Sequence, residues 1–572
     1  MEIRFLGPLG KVTGSCAWMR DVDRGWNFLV DCGMQQGEPT AESWNTGDDW
    51  PFDPAELDFM VLTHAHTDHS GLIPELYKRG FKGTVYCTKE TREVAMLLLR
   101  DAARFTETPY EEEDLEAIKW HAHGGKTKFG GYHPVSDDLF IQYFRSGHII
   151  GAASVKVLWG PKGSDQKSII FSGDIGPGAE DREVLPFLRY PLHPKPADFV
   201  VLESTYGDRV RDEGDKDPGK RRRQLKSLLD QVVESAGTLA IPAFAVGRTQ
   251  EVMFDLHCVV ASDPERYQRI NFLLDSASGQ KMNMITADAL KEAQAIEHTG
   301  KVRPLWLGKQ VFRDLGLDGK DPDHMQYVRD VCDMTFSQPG KDRKDGVAHG
   351  NSVARCWKGR FTWVKDRQAE LNAPDTHPRV VVMGSGTADG GAAATWLPTL
   401  LQSDKNIVAM SGHCSPDTVG GQLLEIRKVE PKERAALSGQ LTWQSMGDRP
   451  RARLPMQLVR ARITKLSGYS GHGDQTDLLN WVVHQYKGKS QVMGRTVFLQ
   501  HGEDRAREGL SQAINKKLDE LDLAADVIQP DDASKWFDLE LNAVSEEICR
   551  EQRKARLKEE MRRLSQELAE LQ

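Results

Sequence analysis

The run Thr63-His64-Ala65-His66-Thr67-Asp68-His69-Ser70-Gly71 constrains this chain more than any other segment. It follows directly on an apolar stretch, Phe59-Met60-Val61-Leu62, that reads as a buried strand. The candidate metal ligands His64, His66, Asp68 and His69 therefore stand in a loop at a strand's end. His64 and His66 can face one cation while Asp68 and His69 face another. Imidazole with carboxylate suits zinc, at about 2.0–2.2 Å. One loop cannot complete two coordination spheres, so other segments must contribute. The eight cysteines form no CxxC pair, which leaves zinc ribbons and redox motifs unsupported. Scattered cysteines without a signal-peptide pattern fit a reducing cytoplasm.

Other apolar strands end in polar residues in the same way. Phe28-Leu29-Val30 ends in Asp31, Ser168-Ile169-Ile170-Phe171 leads to Asp174, and Phe199-Val200-Val201-Leu202 ends in Glu203. Late in the chain, Thr496-Val497-Phe498-Leu499 ends in Gln500-His501-Gly502-Glu503. In layered α/β folds that edge is where sites are built. Placement nominates three more residues for the metal loop: His148 in Ser146-Gly147-His148-Ile149-Ile150-Gly151, Asp174, and His501. Each alone reads as a satisfied core residue; with the first loop they make a set. His121 and His123 form a second HxH, but no Asp-His follows and no apolar strand precedes, so they read as surface or structural.

With these residues in order, the chain resembles the metallo-β-lactamase superfamily, specifically its β-CASP nucleases. Asp31 matches the family's first motif, His64 to His69 the second, His148 the third and Asp174 the fourth. Glu203 in Glu203-Ser204-Thr205-Tyr206-Gly207 matches β-CASP motif A. His472 in Ser470-Gly471-His472-Gly473-Asp474 matches motif B, and His501 motif C. The run Ile241-Pro242-Ala243-Phe244-Ala245-Val246-Gly247-Arg248 is also typical. The match looks closest to the short bacterial and archaeal RNA-cleaving members, with ribonuclease J and the cleavage and polyadenylation specificity factor nuclease as relatives.

The resemblance implies an α/β fold: a four-layer αββα sandwich with an inserted α/β β-CASP domain. Residues 1–208 and 425–544 would form the two parts of the sandwich and 209–424 the inserted domain, with 341–379 as an insertion or long loop. It also implies two Zn2+ per chain. His64, His66, His148 and Asp174 would hold one, and Asp68, His69, Asp174 and His501 the other, with Asp174 bridging. Such ions, about 3.5–4 Å apart, would clamp the oxygens of a phosphodiester. Asp31 would orient ligand histidines. Asp68, Glu203 and His472 form the implied catalytic set, with His472 as general acid and Glu203 as its orienting carboxylate. A His at motif C favours RNA, since the DNA-repair branch carries Val there.

The expected function is a zinc-dependent ribonuclease, acting by endonuclease or 5′-exonuclease cleavage on single-stranded RNA. Alternatives are a nuclease of single-stranded DNA or of both nucleic acids, and an RNA- or partner-binding β-CASP scaffold with little activity. A small-molecule hydrolase is disfavoured by the complete motif set. The net charge of −9 rules out a uniformly basic nucleic-acid binder, but not a local basic channel. Candidates for that channel are Lys220-Arg221-Arg222-Arg223, the basic residues preceding motif B, and 341–379, where nine Lys or Arg face five Asp or Glu. Arg221, Arg222, Arg248, Ser385 and Gly386 are the expected RNA or phosphate contacts, the last two in a Gly-rich turn. No apolar run approaches the roughly 18 residues of a membrane span. In 545–572, Leu557, Met561, Leu564, Leu568 and Leu571 are spaced as one helical stripe. That reads as an amphipathic helix docked on its own domain, or as a short coiled coil that makes a homodimer.

Overall fold

The computed structural model describes residues 1–544, apart from 106–107, 124–128, 164–165, 180–181, 296–301, 318–321, 337–360, 374–376, 413, 444–451 and 487. The expected tail helix, 545–572, lies outside the described residues, as do 341–360 of the expected insertion.

Two mixed sheets stack face to face. The first has eight strands, in the order 543–544, 537–538, 2–6, 16–21, 26–30, 59–61, 84–88 and 120–123. The second has seven, in the order 526–528, 494–500, 197–203, 167–171, 153–159, 139–145 and 133–136. Their inner faces meet in a core that includes Ile3, Phe28, Val61, Ile141, Val155, Ile169, Phe199 and Phe498. Helices 475–482 and 504–521 cover the outer face of the second sheet through Leu478, Trp481, Leu510 and Ile514. Helices 73–78 and 89–102 cover the first through Leu76, Val94 and Leu99. The result is the expected αββα sandwich. Strand Ala153–Trp159 is buried along its whole length, Ser154 and Lys156 included.

The chain leaves the sandwich after Glu203 and returns with helix 475–482 and then the strand Gly494–Gln500, which pairs in parallel with Ala197–Glu203 and sets Gln500 beside Glu203. Between them stands a six-stranded, all-parallel sheet in the order 361–363, 271–275, 379–383, 238–242, 407–410 and 462–465. Helix Pro218–Ser235 flanks it. Asp217 caps that helix by accepting from Gly219 N, proline occupies its first turn, and Ala236 ends it at φ 53°. Its apolar stripe, Leu225, Leu228, Leu229 and Val232, packs on the inserted sheet.

Two boundaries differ from expectation. Arg462–Lys465 pairs with Ile407–Met410, so the inserted sheet extends past 424. Within 341–379, Phe361–Trp363 is an edge strand of that sheet and Arg367–Asn372 a helix capped by Asp366. Edge strands of three and four residues leave too short a period to read from sequence. Among the described residues, no helix is long and apolar enough to cross a membrane.

Candidate metal centre

The His64–His69 loop is fixed by its backbone. Ser15 N donates to Asp68 O, Cys32 N to His69 O and Met34 N to Thr67 O, at 2.8–2.9 Å. Gly33 permits this approach: a Cβ there would stand 1.7 Å from Asp68 O. Asp31, at φ 59°, turns its carboxylate onto the loop. It accepts from Thr63 N at 2.8 Å and Thr63 Oγ1 at 2.7 Å, and holds Nδ1 of His69 at 2.8 Å.

His148 and His501 are also each held by one ring nitrogen and present the other. Nδ1 of His148 donates to Gly471 O at 2.9 Å, and Nδ1 of His501 meets Ser15 Oγ at 2.7 Å. Asp174 lies at the centre and divides the rings between its two oxygens. Oδ2 stands 3.4 Å from Nε2 of both His64 and His148, and Oδ1 stands 3.4 Å from Nε2 of His69 and 3.6 Å from Nε2 of His501. Nε2 of His501 is also 3.6 Å from Asp68 Oδ2. His66 Nδ1 lies 3.2 Å from His64 Nε2 and 3.0 Å from His148 Nε2.

Two groups of donors emerge, His64–His66–His148–Asp174 and Asp68–His69–His501, each with its ligand atoms within 4.8 Å of one another. The donor chemistry fits cations. Nε2 of His69, Nε2 of His501 and Oδ1 of Asp174 are buried without a hydrogen-bond partner, an arrangement a protein rarely leaves unmet. Burial and the neighbouring His69 push the imidazole of His64 down to about 3, so its ring is neutral and its lone pair available. Burial also opposes charge on His69, but Asp174 and Asp31 outweigh it and raise that ring well above its usual value.

A third group, Asp174–Glu203–His472, adjoins the first two. Glu203 accepts from Ile175 N at 2.6 Å and Thr205 N at 3.1 Å. His472 is the more open residue, 22% exposed, against 2% for His148, whose ring centroid is 4.3 Å away.

Several residues that grip the His472 loop escaped the sequence. Tyr469 Oη donates to Asp255 Oδ2 at 2.8 Å, Arg211 Nη2 donates to Ser470 Oγ at 3.1 Å and to His472 O, and Lys216 pairs with Asp474 at 2.8 Å. Nothing in local sequence links Asp255, on helix Arg248–Ser262, to Tyr469; the contact exists only in the fold.

The expected RNA contacts divide. Arg221 is buried, 1% exposed. It pairs with Asp255 at 2.9 Å, donates to Val184 O and lies 5.3 Å from the Tyr469 ring centroid. It is a core ion-pair residue and not an RNA contact. Arg222 is likewise taken up by Asp314 at 2.8 Å, and Lys220 and Arg223 by Asp215 and Asp217. Arg248 is half-buried beside Tyr469, with its Nη1 buried and lacking a hydrogen-bond partner; desolvation lowers its guanidinium to about 10. Ser385 Oγ lies 3.3 Å from Thr387 Oγ1. Gly386 and Gly412 clasp the ring of Phe244, which is 42% exposed; a Cβ on either would come within 2.6 or 2.8 Å of the ring.

A metallo-hydrolase sandwich with a histidine–aspartate centre is the class that this fold and site define. Family models agree along the chain. Residues 9–221 match the metallo-β-lactamase superfamily, 249–423 the β-CASP domain, and 457–525 a Zn-dependent metallo-hydrolase RNA specificity domain. The chain belongs to the metallo-β-lactamase superfamily, in its β-CASP branch. It is similar to ribonuclease TTHA0252 of Thermus thermophilus, with 26% identity over 92% of this chain and 98% of that one. Transcription termination factor FttA of Lokiarchaeum is 24% identical over 91% of this chain and 69% of its own. An RNase J-like protein of Methanocaldococcus jannaschii is 24% identical over 90% and 96%.

Proposed function

We propose that this protein is a metal-dependent nuclease that hydrolyses RNA phosphodiester bonds with two zinc ions. The observation that carries this reading is the division of four imidazoles between the two oxygens of Asp174, with His472 and Glu203 beside it. His64, His66, His148 and Asp174 would hold one ion, and Asp68, His69, Asp174 and His501 the other. Two such ions would activate a water near neutral pH and offset phosphate charge.

The chain's own groups supply the rest. His472, open on one side, delivers a proton to the departing ribose oxygen, and Glu203 orients its ring. Asp31 and Ser15 fix the tautomers of His69 and His501, so that Nε2 of each faces the centre. Arg248, half-buried, supplies a positive charge beyond the C-terminal end of strand 238–242, and Phe244 offers a face on which an unpaired base can stack. The ribonuclease relative and the RNA-specificity model favour RNA as the substrate.

Equal-length, end-labelled RNA and DNA oligomers, incubated with the zinc-loaded protein, test the reading. RNA is cut, and a chelator stops the cutting. Faster cleavage of DNA would overturn the substrate assignment, and undiminished cleavage after metal removal would overturn the chemistry.

A further inference from the structure

The turn that follows Glu203 carries a tyrosine with no role in the chemistry above. Gly207 N donates to Ser204 O at 3.0 Å and Arg209 N to Tyr206 O at 3.1 Å. This turn sets the half-buried Tyr206 against His472, with ring centroids 5.8 Å apart and planes at 81°. Two guanidinium groups lie over the tyrosine ring, Arg209 at 5.4 Å and Arg211 at 5.5 Å from its centroid. They are held differently. Arg211 N donates to Asp474 Oδ2 at 2.9 Å and its Nη2 to Ser470 Oγ at 3.1 Å, so it belongs to the scaffold of the His472 loop. Arg209 is 58% exposed, and its ion-pair partner, Asp208 at 3.5 Å, is shared with Arg505 at 3.0 Å. Exposed ion pairs and exposed cation–π contacts are both weak, so Arg209 is easily released. Stacking of an unpaired base on an aromatic ring is stronger, about 5–150-fold in affinity per base.

We propose that Tyr206 and Arg209 form the subsite for the nucleotide that carries the departing oxygen. Its base displaces Arg209 from the face of Tyr206, and Arg209 turns to the adjoining phosphate. This rests on the nuclease reading and adds which part of the RNA lies beside His472. Position decides it. His472 gives its proton to the departing oxygen, so the fragment bearing that oxygen passes on the His472 side of the centre. Among the described ring contacts, Tyr206 meets His472 and none of the ligand histidines, whereas His148 meets His472 from 4.3 Å. Such a platform accepts any base, because every base has a π-face.

The test uses the zinc-loaded, full-length protein and RNA oligomers with one abasic ribose on either side of a mapped cleavage site. The product that lacks the new phosphate identifies the departing side. Wild type should cleave the oligomer that is abasic on that side about 5–150-fold more slowly than intact RNA. Tyr206→Ala should cleave both at the same reduced rate, with zinc content unchanged, and should respond as wild type does to an abasic ribose on the opposite side. A Tyr206→Ala protein as sensitive as wild type to the departing-side substitution would overturn the proposal. Should alanine prevent folding, Tyr206→Leu keeps the apolar bulk without the aromatic face and is read in the same way. Arg209→Ala should reduce the slope of log affinity against log salt by about 0.7; an unchanged slope overturns the phosphate contact. Wild-type protein that leaves intact RNA uncut would overturn the nuclease reading and the subsite with it, a failure distinct from the others.

Discussion

Nδ1 of His472 stands 3.7 Å from Oε1 of Glu203, on the open side of the candidate metal centre. Burial works against charge on that ring, but Glu203, Asp174 and Asp68 outweigh it and hold the imidazole above its ordinary value. An acid catalyst needs this, because it must carry its proton when the substrate arrives.

His472→Ala should lower kcat on RNA by about 10²–10⁴ while leaving the zinc content unchanged. With a diester of an acidic phenol, which leaves without a proton, the deficit should shrink. Glu203→Gln removes a carboxylate that raises the ring's pKa, so the acid form should be lost from a lower pH. The alkaline limb of the kcat profile then moves down. A limb that stays in place would separate Glu203 from the proton transfer.

Asp31 touches His69 and not the substrate side of the centre. Asp31→Asn should therefore weaken zinc binding by about 10–100-fold, read by competition with a chromophoric chelator. Activity should return at saturating zinc. An Asp31→Asn protein with wild-type zinc affinity would show that the hydrogen bond to Nδ1 does not orient the ligand.

The burial of Arg221 makes a prediction opposite to that from the basic run in which it sits. Arg221→Ala leaves Asp255 charged and uncompensated in the core, and should cost about 3–5 kcal/mol of stability. The slope of RNA affinity against salt should not change, because no phosphate contact is lost. Tyr469→Phe, which removes one hydroxyl from the same network, should lower kcat more than it alters KM, since that hydroxyl anchors the loop bearing His472.

Glu251 lies fully buried near Arg221, with one oxygen accepting from Phe187 N. Burial pushes its carboxyl up to about 8, despite the opposing pull of Arg221. A raised carboxyl contributes stability that is complete below its unfolded value, near 4.5, and is lost as pH rises through about 8. Wild-type Tm should therefore fall as pH rises from near 4.5 to about 8 and level off above that, and Glu251→Gln should flatten that fall. A Gln variant with the same pH dependence as wild type would place the titration elsewhere.

Much of the candidate metal centre was legible because its residues sit where strands end. Asp31, His64, Glu203 and His501 each follow a short apolar run, and the sheet order brings those ends together. Asp174 was legible as a strand-end acid, but its central place between two sets of rings needed the fold. Arg221 misled because a charged run looks alike whether it faces solvent or an interior acid; Asp255, its partner, is 34 residues away. The end of the inserted sheet was misread for a related reason. Arg462–Lys465 is a short strand whose partner, Ile407–Met410, lies far back in the chain, and only pairing identifies it.

The most direct test of the central claim is Asp174→Asn, assayed for zinc content and RNA hydrolysis in the same preparation. Asp174 meets both groups of histidines, so the account predicts a loss of two zinc equivalents relative to wild type, together with loss of hydrolysis and a retained fold. An Asp174→Asn protein that keeps its zinc and cleaves RNA at the wild-type rate would contradict it.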